Sequence, residues 1–102
     1  MVLMGIFEIE DILSSRGRIK ILKILSELEE TNITQISKRT MLNYETTLSH
    51  LKKLIEMGIV KEKKFGKIRI FKINKENKLT LKIVDFIKTW EKEKIFSNCS
   101  KI

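Results

Sequence analysis

Apolar residues recur along this chain at two periods, and the switches between them divide it into elements. Ile9, Ile12 and Leu13 fit a short first helix. Val2, Leu3, Ile6 and Phe7 before it need cover from the last helix or a second subunit. Ser14 or Ser15 can cap the next helix, SRGRIKILKILSELEE, where Ile21, Leu22, Ile24, Leu25 and Leu28 make a stripe broad enough for burial on more than one side. Thr31–Ile33 is long enough only for a bridging strand. Thr34 can cap a helix of about two turns that runs to Thr40.

Met41 and Leu42 form an apolar corner, and Asn43 is a second N-cap. Leu48, Leu51, Leu54 and Ile55 then share one face of a helix over 44–57, closed by Gly58. The period falls to two in Ile59–Phe65 and Lys67–Ile73, strand-like runs around Phe65-Gly66-Lys67 that read as a hairpin. Val60, Ile68 and Ile70 mix with Phe71 and Ile73, so both hairpin faces are expected to be partly covered. The chain closes with a helix over 78–97, where Leu79, Ile83, Phe86, Ile87 and Trp90 repeat near heptad spacing and Val84 widens the stripe. So much apolar surface on a small domain suits pairing with a symmetry mate, while packing back onto the first helices would also use it.

These elements predict one α+β, mostly helical domain over residues 1–102: a helical unit and two-stranded hairpin over 12–75, then a long C-terminal dimerisation helix. An apolar content of 42% supports folding rather than disorder. No apolar run reaches the length of a membrane span, and MVLMGIF lacks the basic start and small-residue cleavage site of a secretory signal. A cytoplasmic protein is expected. Enrichment in Lys and Glu fits heat adaptation, although an AT-rich genome gives the same bias.

Charge changes the picture more. The formal net charge is +8 with pI near 9.7, which points to a polyanionic partner, nucleic acid first and an anionic membrane surface second. Tyr44, Glu45, Thr46, Ser49, His50 and Lys53 alternate with the apolar positions of the 44–57 helix and are expected to face outward together. On the second helix of a helix–turn–helix such side chains can reach base edges in a major groove. An ordinary amphipathic helix with a wetted face would carry the same pattern. Between 61 and 75 the hairpin carries seven bases, Lys61, Lys63, Lys64, Lys67, Arg69, Lys72 and Lys75, against the single acid Glu62. Lysine commonly guards strand edges, but this load exceeds that need and fits phosphate or minor-groove contact. Arg16 and Arg18 defy the helix dipole at one end of their helix, as Glu29 and Glu30 do at the other. The arginines could touch a phosphate backbone, an acidic partner group or only solvent.

The stretch TQISKRT…NYETTLSHLKKLIEMGIV, from Thr34 to Val60, with SSRGRIKILKIL upstream, resembles winged helix-turn-helix regulators of the ArsR/MarR type, notably small archaeal members. The resemblance spans roughly residues 12–75. It implies a homodimer that regulates transcription on double-stranded DNA, with recognition helices in successive major grooves and wings on the backbone or minor groove. It assigns Tyr44, Thr46, Ser49, His50 and Lys53 to the groove face, and Lys63, Lys64, Lys67 and Arg69 to the wing. Metal-sensing relatives use clusters of Cys, His or carboxylates. Here Cys99 and His50 are the only soft ligands, so no metal site and no cofactor is expected. No sequence feature defines an effector pocket.

One His and one Cys in separate elements, with only four glycines, give no nucleophile–base pair and no phosphate loop, so no enzyme is expected. Cys99 is either an inert thiol or, in a hyperthermophile, an intersubunit disulfide. Two alternatives to a sequence-specific regulator stay open: an architectural protein that coats DNA without reading it, and a protein–protein adaptor built on the winged helix.

Overall fold

The computed structural model describes residues 7–100, with side chains from 7 to 94. Val2, Leu3, Ile6 and the Cys99 side chain lie outside that range. The elements are α1 (Glu10–Leu13), α2 (Arg16–Leu28), β1 (Glu30–Asn32), α3 (Ile33–Thr40), α4 (Tyr44–Glu56), β2 (Val60–Phe65), β3 (Ile68–Ile73) and α5 (Lys78–Ser100).

The other elements close around α2. Ile21, Leu22 and Leu25 have no exposed surface, and α1, α3, α4, α5 and β3 all pack on this helix. Each such side chain contributes roughly 1.5–3 kcal/mol relative to exposure. Ser26 is buried among them because its hydroxyl donates to the Leu22 carbonyl, 2.7 Å away. Ile24 is only half-buried and Leu28 is 37% exposed, so the buried stripe is narrower than the sequence suggests. No described element lies fully over that edge.

Helix starts follow from short polar side chains. Ser15 caps α2, accepting from the Arg18 N–H at 3.2 Å. For α3 the cap is Asn32, whose Oδ1 accepts from the Gln35 N–H at 2.9 Å, rather than Thr34. The backbone leaves β1 and turns helical at Asn32, which places Thr34 inside the first turn. Asn43 caps α4 as expected, accepting from Thr46 at 2.7 Å. The other end of α4 is a Schellman closure: Gly58 N–H reaches the Ile55 carbonyl at 2.9 Å and Ile59 N–H the Leu54 carbonyl at 3.0 Å. It needs φ +80° at Gly58, which glycine adopts without strain. Between α3 and α4, Met41 takes a left-handed φ of 63° although it has a side chain, and is 89% exposed.

The sheet is antiparallel with order β1-β3-β2, one strand more than the expected hairpin. Thr31 of β1 lies opposite Phe71, so the bridging segment extends the sheet instead of merely linking helices. Val60, Phe71 and Ile73 point into the core, while Ile68 on the other face is 57% exposed and Ile70 is half-buried. Only one sheet face is therefore covered by the core. Gly66, at φ +63°, starts the two-residue turn between β2 and β3.

Helix α5 spans 23 residues and packs on α2. Asn74 and Asn77 both donate to the Gly58 carbonyl, at 2.8 and 3.0 Å, which ties the start of α5 to the end of α4. Ile87 enters the core, and Ile83 and Val84 pack against it. Leu79, Phe86 and Trp90 remain 65%, 61% and 63% exposed. The expected pairing stripe thus divides between the chain's own core and a free edge. In α1, likewise, only Ile12 is buried, while Ile9 and Leu13 are 62% and 56% exposed.

Replacing Asn43 by Ala should cost about 1 kcal/mol and lower Tm by about 4–8 °C, because one first-turn N–H of α4 loses its acceptor. An unchanged thermal melt would show that the cap contributes nothing.

Candidate nucleic-acid interface

The exposed face of α4 is set by what its other face buries. Thr47, Leu51 and Leu54 are fully buried, and Leu48 and Ile55 are partly so. The opposite face leaves Glu45, Ser49, Lys52, Lys53 and Glu56 along one shallow groove, with the half-buried Thr46 beside it. Lys53 is 3.5 Å from Glu56 and lies 6.0 Å from the Phe7 ring centroid, a cation–π approach. Lys52 is exposed and makes no ion pair among the described residues. Its position three residues after Ser49 was the available sequence signal.

Tyr44 stands apart from this row. It is half exposed at the start of α4, and it adds, after Glu62, to what raises the pKa of Arg69 on β3. His50 departs further from the expected outward set. Its ring is half-buried against α2, directly over Gly17, where an added Cβ would lie 2.6 Å from Nε2. Arg18 Nε donates to His50 Nδ1 at 3.3 Å, and Arg18 Nη1 donates to the Asp11 carbonyl. Arg18 therefore joins α1, α2 and α4, and is not the free phosphate ligand considered from sequence. Burial first, and then the Arg18 charge, hold the His50 pKa below 6.5, so the imidazole is neutral and Nδ1 can accept. The helical wheel gave no warning, because the partner is a glycine on another helix.

Strand alternation divides the four wing bases. Lys64 and Arg69 oppose each other in the register, on the same face as Phe71. Lys63 projects from the other face, 3.2 Å from Glu30 and 5.8 Å from the Phe65 ring centroid. Arg69 pairs with Glu62, Nε to Oε2 at 2.5 Å, and its guanidinium lies 5.6 Å from the Phe71 ring centroid. The hydrogen bond from Arg69 holds the Glu62 carboxyl below the usual range, and the same bond raises the Arg69 pKa. Lys67 occupies the exposed turn. Lys64 and Lys67 have no ion-pair partner among the described residues, whereas Lys63 and Arg69 are engaged. Glu29 and Glu30, which violate the dipole rule of α2, lie just beyond its last turn; Glu29 meets Lys75 at 3.0 Å and Glu30 meets Lys63.

Away from these bases, α1 and α5 border an open apolar groove of about 580 Å³, with Ile9, Leu13, Ile19, Phe86 and Trp90 on its walls and Ile87 at its base. The Phe86 and Trp90 rings are tilted 43° with centroids 6.1 Å apart. Among the described residues no group of three His, Cys, Asp or Glu side chains could hold a metal ion. No described helix is long and apolar enough to cross a membrane.

Residues 15–62 match the arsR family of bacterial regulatory proteins. No curated protein matches the chain in sequence. Among solved structures, the transcriptional repressor PagR of Bacillus anthracis is 25% identical at a TM-score of 0.64, covering 76% of this chain and 85% of that one. The homodimeric winged helix-turn-helix DNA-binding domain Mb0332 of Mycobacterium bovis is 20% identical with TM-score 0.68, covering 92% and 80%. The transcriptional repressor BigR of Xylella fastidiosa is 19% identical with TM-score 0.67, covering 78% and 74%. The last two likenesses establish the fold alone. The matched family and these neighbours are regulators rather than enzymes.

The Gly17–His50 contact has a measurable sign. Gly17→Ala ordinarily gains about 0.5–1 kcal/mol in a helix. Here it must displace the ring and sacrifice the Arg18 bond, of similar size, so little gain should appear. In a His50→Ala background the full gain should return, a coupling on the order of 1 kcal/mol in a denaturation cycle. Equal effects in both backgrounds would contradict the packing.

Because the folded pKa of His50 lies below its ordinary 6.5, the unfolded chain binds more protons in the window between the two. Its stabilising contribution is complete above 6.5 and is lost as pH falls through the folded value. His50 is the sole histidine, so His50→Gln should flatten the stability profile just below that pH. Parallel wild-type and variant profiles would show that the ring is not held in its neutral form.

Proposed function

We propose that this chain, whose residues 15–62 match the arsR family, is a homodimeric, sequence-specific regulator of transcription on double-stranded DNA. In this reading α4 enters the major groove. Ser49, Lys52, Lys53 and Thr46 face the bases and adjacent phosphates, and Tyr44 stands at the rim beside Arg69. Lys64 and Lys67 bind the backbone from the wing; Lys63 and Arg69 join them by exchanging Glu30 and Glu62 for phosphate. His50 takes no part in base reading and instead fixes the rotation of α4 about its own axis.

The single observation that carries the reading is the uncovered polar face of α4 beside the unpaired Lys64 and Lys67, on a chain of net charge +8. Sharing of a symmetric site between two subunits is supported by the free apolar edge of α5. Leu79, Phe86 and Trp90, with Ile9 and Leu13, are exposed in a way that a second copy would relieve, while Ile83 and Ile87 back them from the core. The homodimeric domain of Mycobacterium bovis has the same fold.

Selection of genomic fragments by the purified protein, at low and at physiological salt, tests the proposal. A short two-fold-symmetric site should persist at the higher salt, favoured over bulk DNA by roughly 4–10 kcal/mol. Ser49→Ala should then change the preferred bases. Lys64→Ala or Lys67→Ala should weaken every sequence alike and flatten the salt dependence by about one unit per lost phosphate contact. Enrichment without a motif, vanishing as salt rises, would instead mean a coating protein. Absence of duplex binding would leave an adaptor.

A further inference from the structure

We propose that the tip of the wing is an apolar wedge, formed by Phe65 and Ile68, that enters the DNA minor groove and opens a base step there. The proposal rests on the DNA-binding reading above and adds a deformation to it.

Phe65 and Ile68 are direct partners across the hairpin and flank its Gly66-Lys67 turn. They are 62% and 57% exposed, on the strand face turned away from Phe71, and belong to neither the core nor the apolar groove between α1 and α5. Solvent-facing hairpin ends are ordinarily polar, so two large apolar side chains side by side at this place call for a partner.

The charge around them selects which partner. Lys63, on the same strand face, approaches the Phe65 ring, and Lys67 occupies the turn beside the pair, while Lys64 projects from the opposite face. The nearby acids, Glu30 and Glu62, are already held by Lys63 and Arg69. An apolar pair bordered by cations fits a partner with an anionic rim and apolar faces that can be parted. The stacked bases of a duplex, reached between two phosphate strands, have that chemistry.

The placement agrees with this. Strand β2 of the hairpin packs against α4, so the wing stands beside the helix assigned to the major groove. A duplex held by α4 presents its neighbouring minor groove to the wing. That groove is about 6 Å wide, so it excludes the hairpin body and admits the side chains at its end. Apolar wedges of this kind partly unstack a step and kink the duplex by about 20–90°. Pyrimidine–purine steps such as TA open most readily, which would give the protein a sequence preference where it forms no hydrogen bond to a base.

The test uses the full chain and end-labelled duplexes of about 30 bp that differ only in flanks built from TA steps or from G·C runs. Energy transfer between the ends reports bending, and 2-aminopurine at the TA step reports unstacking. The wild type should bend the TA duplex, raise the 2-aminopurine signal and bind it about tenfold more tightly than its G·C counterpart. Phe65→Ala/Ile68→Ala alters two exposed side chains and should fold normally. It should keep the salt dependence while losing the bend, the fluorescence rise and the preference; Phe65→Trp should retain all three. A double variant that binds and bends like the wild type would overturn the wedge while leaving DNA binding intact. A tip used for self-association, seen as a smaller species for the double variant in sedimentation with bending unchanged, would also overturn it. Failure of every duplex to bind would remove the DNA-binding reading and the wedge together.

Discussion

The packing of α4 against α2 is the contact on which the rest of the molecule depends. Successive residues of a helix are separated by about 100° around its axis. Seating Thr47, Leu51 and Leu54 in the core therefore determines that Ser49, Lys52 and Lys53 look outward. One polar contact reinforces that rotation without adding apolar area: His50 against Gly17 and Arg18. A turn of the helix by one residue would break it. The core thus specifies the orientation of the candidate interface as well as its stability.

The positive charge of the chain is less uniform than its total implies. Lys61 meets Glu76, Lys63 meets Glu30, Lys75 meets Glu29 and Arg69 meets Glu62. Exposed ion pairs of this kind contribute about 0–1 kcal/mol to folding, so their effect on stability is small. Their larger effect is to hold long side chains in place along the sheet. In the proposed DNA complex these residues would bind phosphate only by giving up a carboxylate, whereas Lys64, Lys67 and Lys52 have no ion pair to give up among the described residues. Arg69 and Glu62 are the least solvent-exposed of the four pairs and would exchange least readily.

Local signals made much of this legible in the sequence. The caps Ser15 and Asn43, the closure at Gly58 and the turn at Gly66 are decided within a few residues, and each stands where the pattern of neighbours put it. The arsR-type segment was legible for the same reason, since its apolar spacing and its caps are contiguous. What escaped depends on distant partners. Lys63 and Lys64 are adjacent in sequence, yet strand parity sends them to opposite faces. His50 looked like a member of an outward row, and only the absence of a side chain at Gly17 makes its inward seat available. The α5 stripe had one period but two destinations, because α2 covers Ile87 and leaves Phe86 and Trp90 uncovered.

Those uncovered residues connect assembly to the candidate DNA face. A 102-residue chain has little spare core, and α1 has only four residues with which to hold its place. Ile12 anchors it from below, and Arg18 holds its Asp11 carbonyl from the side. The same guanidinium holds His50 on α4. Whatever covers Ile9 and Leu13 therefore steadies α1, and with it the group that holds α4 through His50. Covering the groove by a second copy would stabilise the chain by mass action and would also narrow the rotations open to α4. Assembly and groove geometry then share one set of contacts, centred on a single arginine near the start of α2.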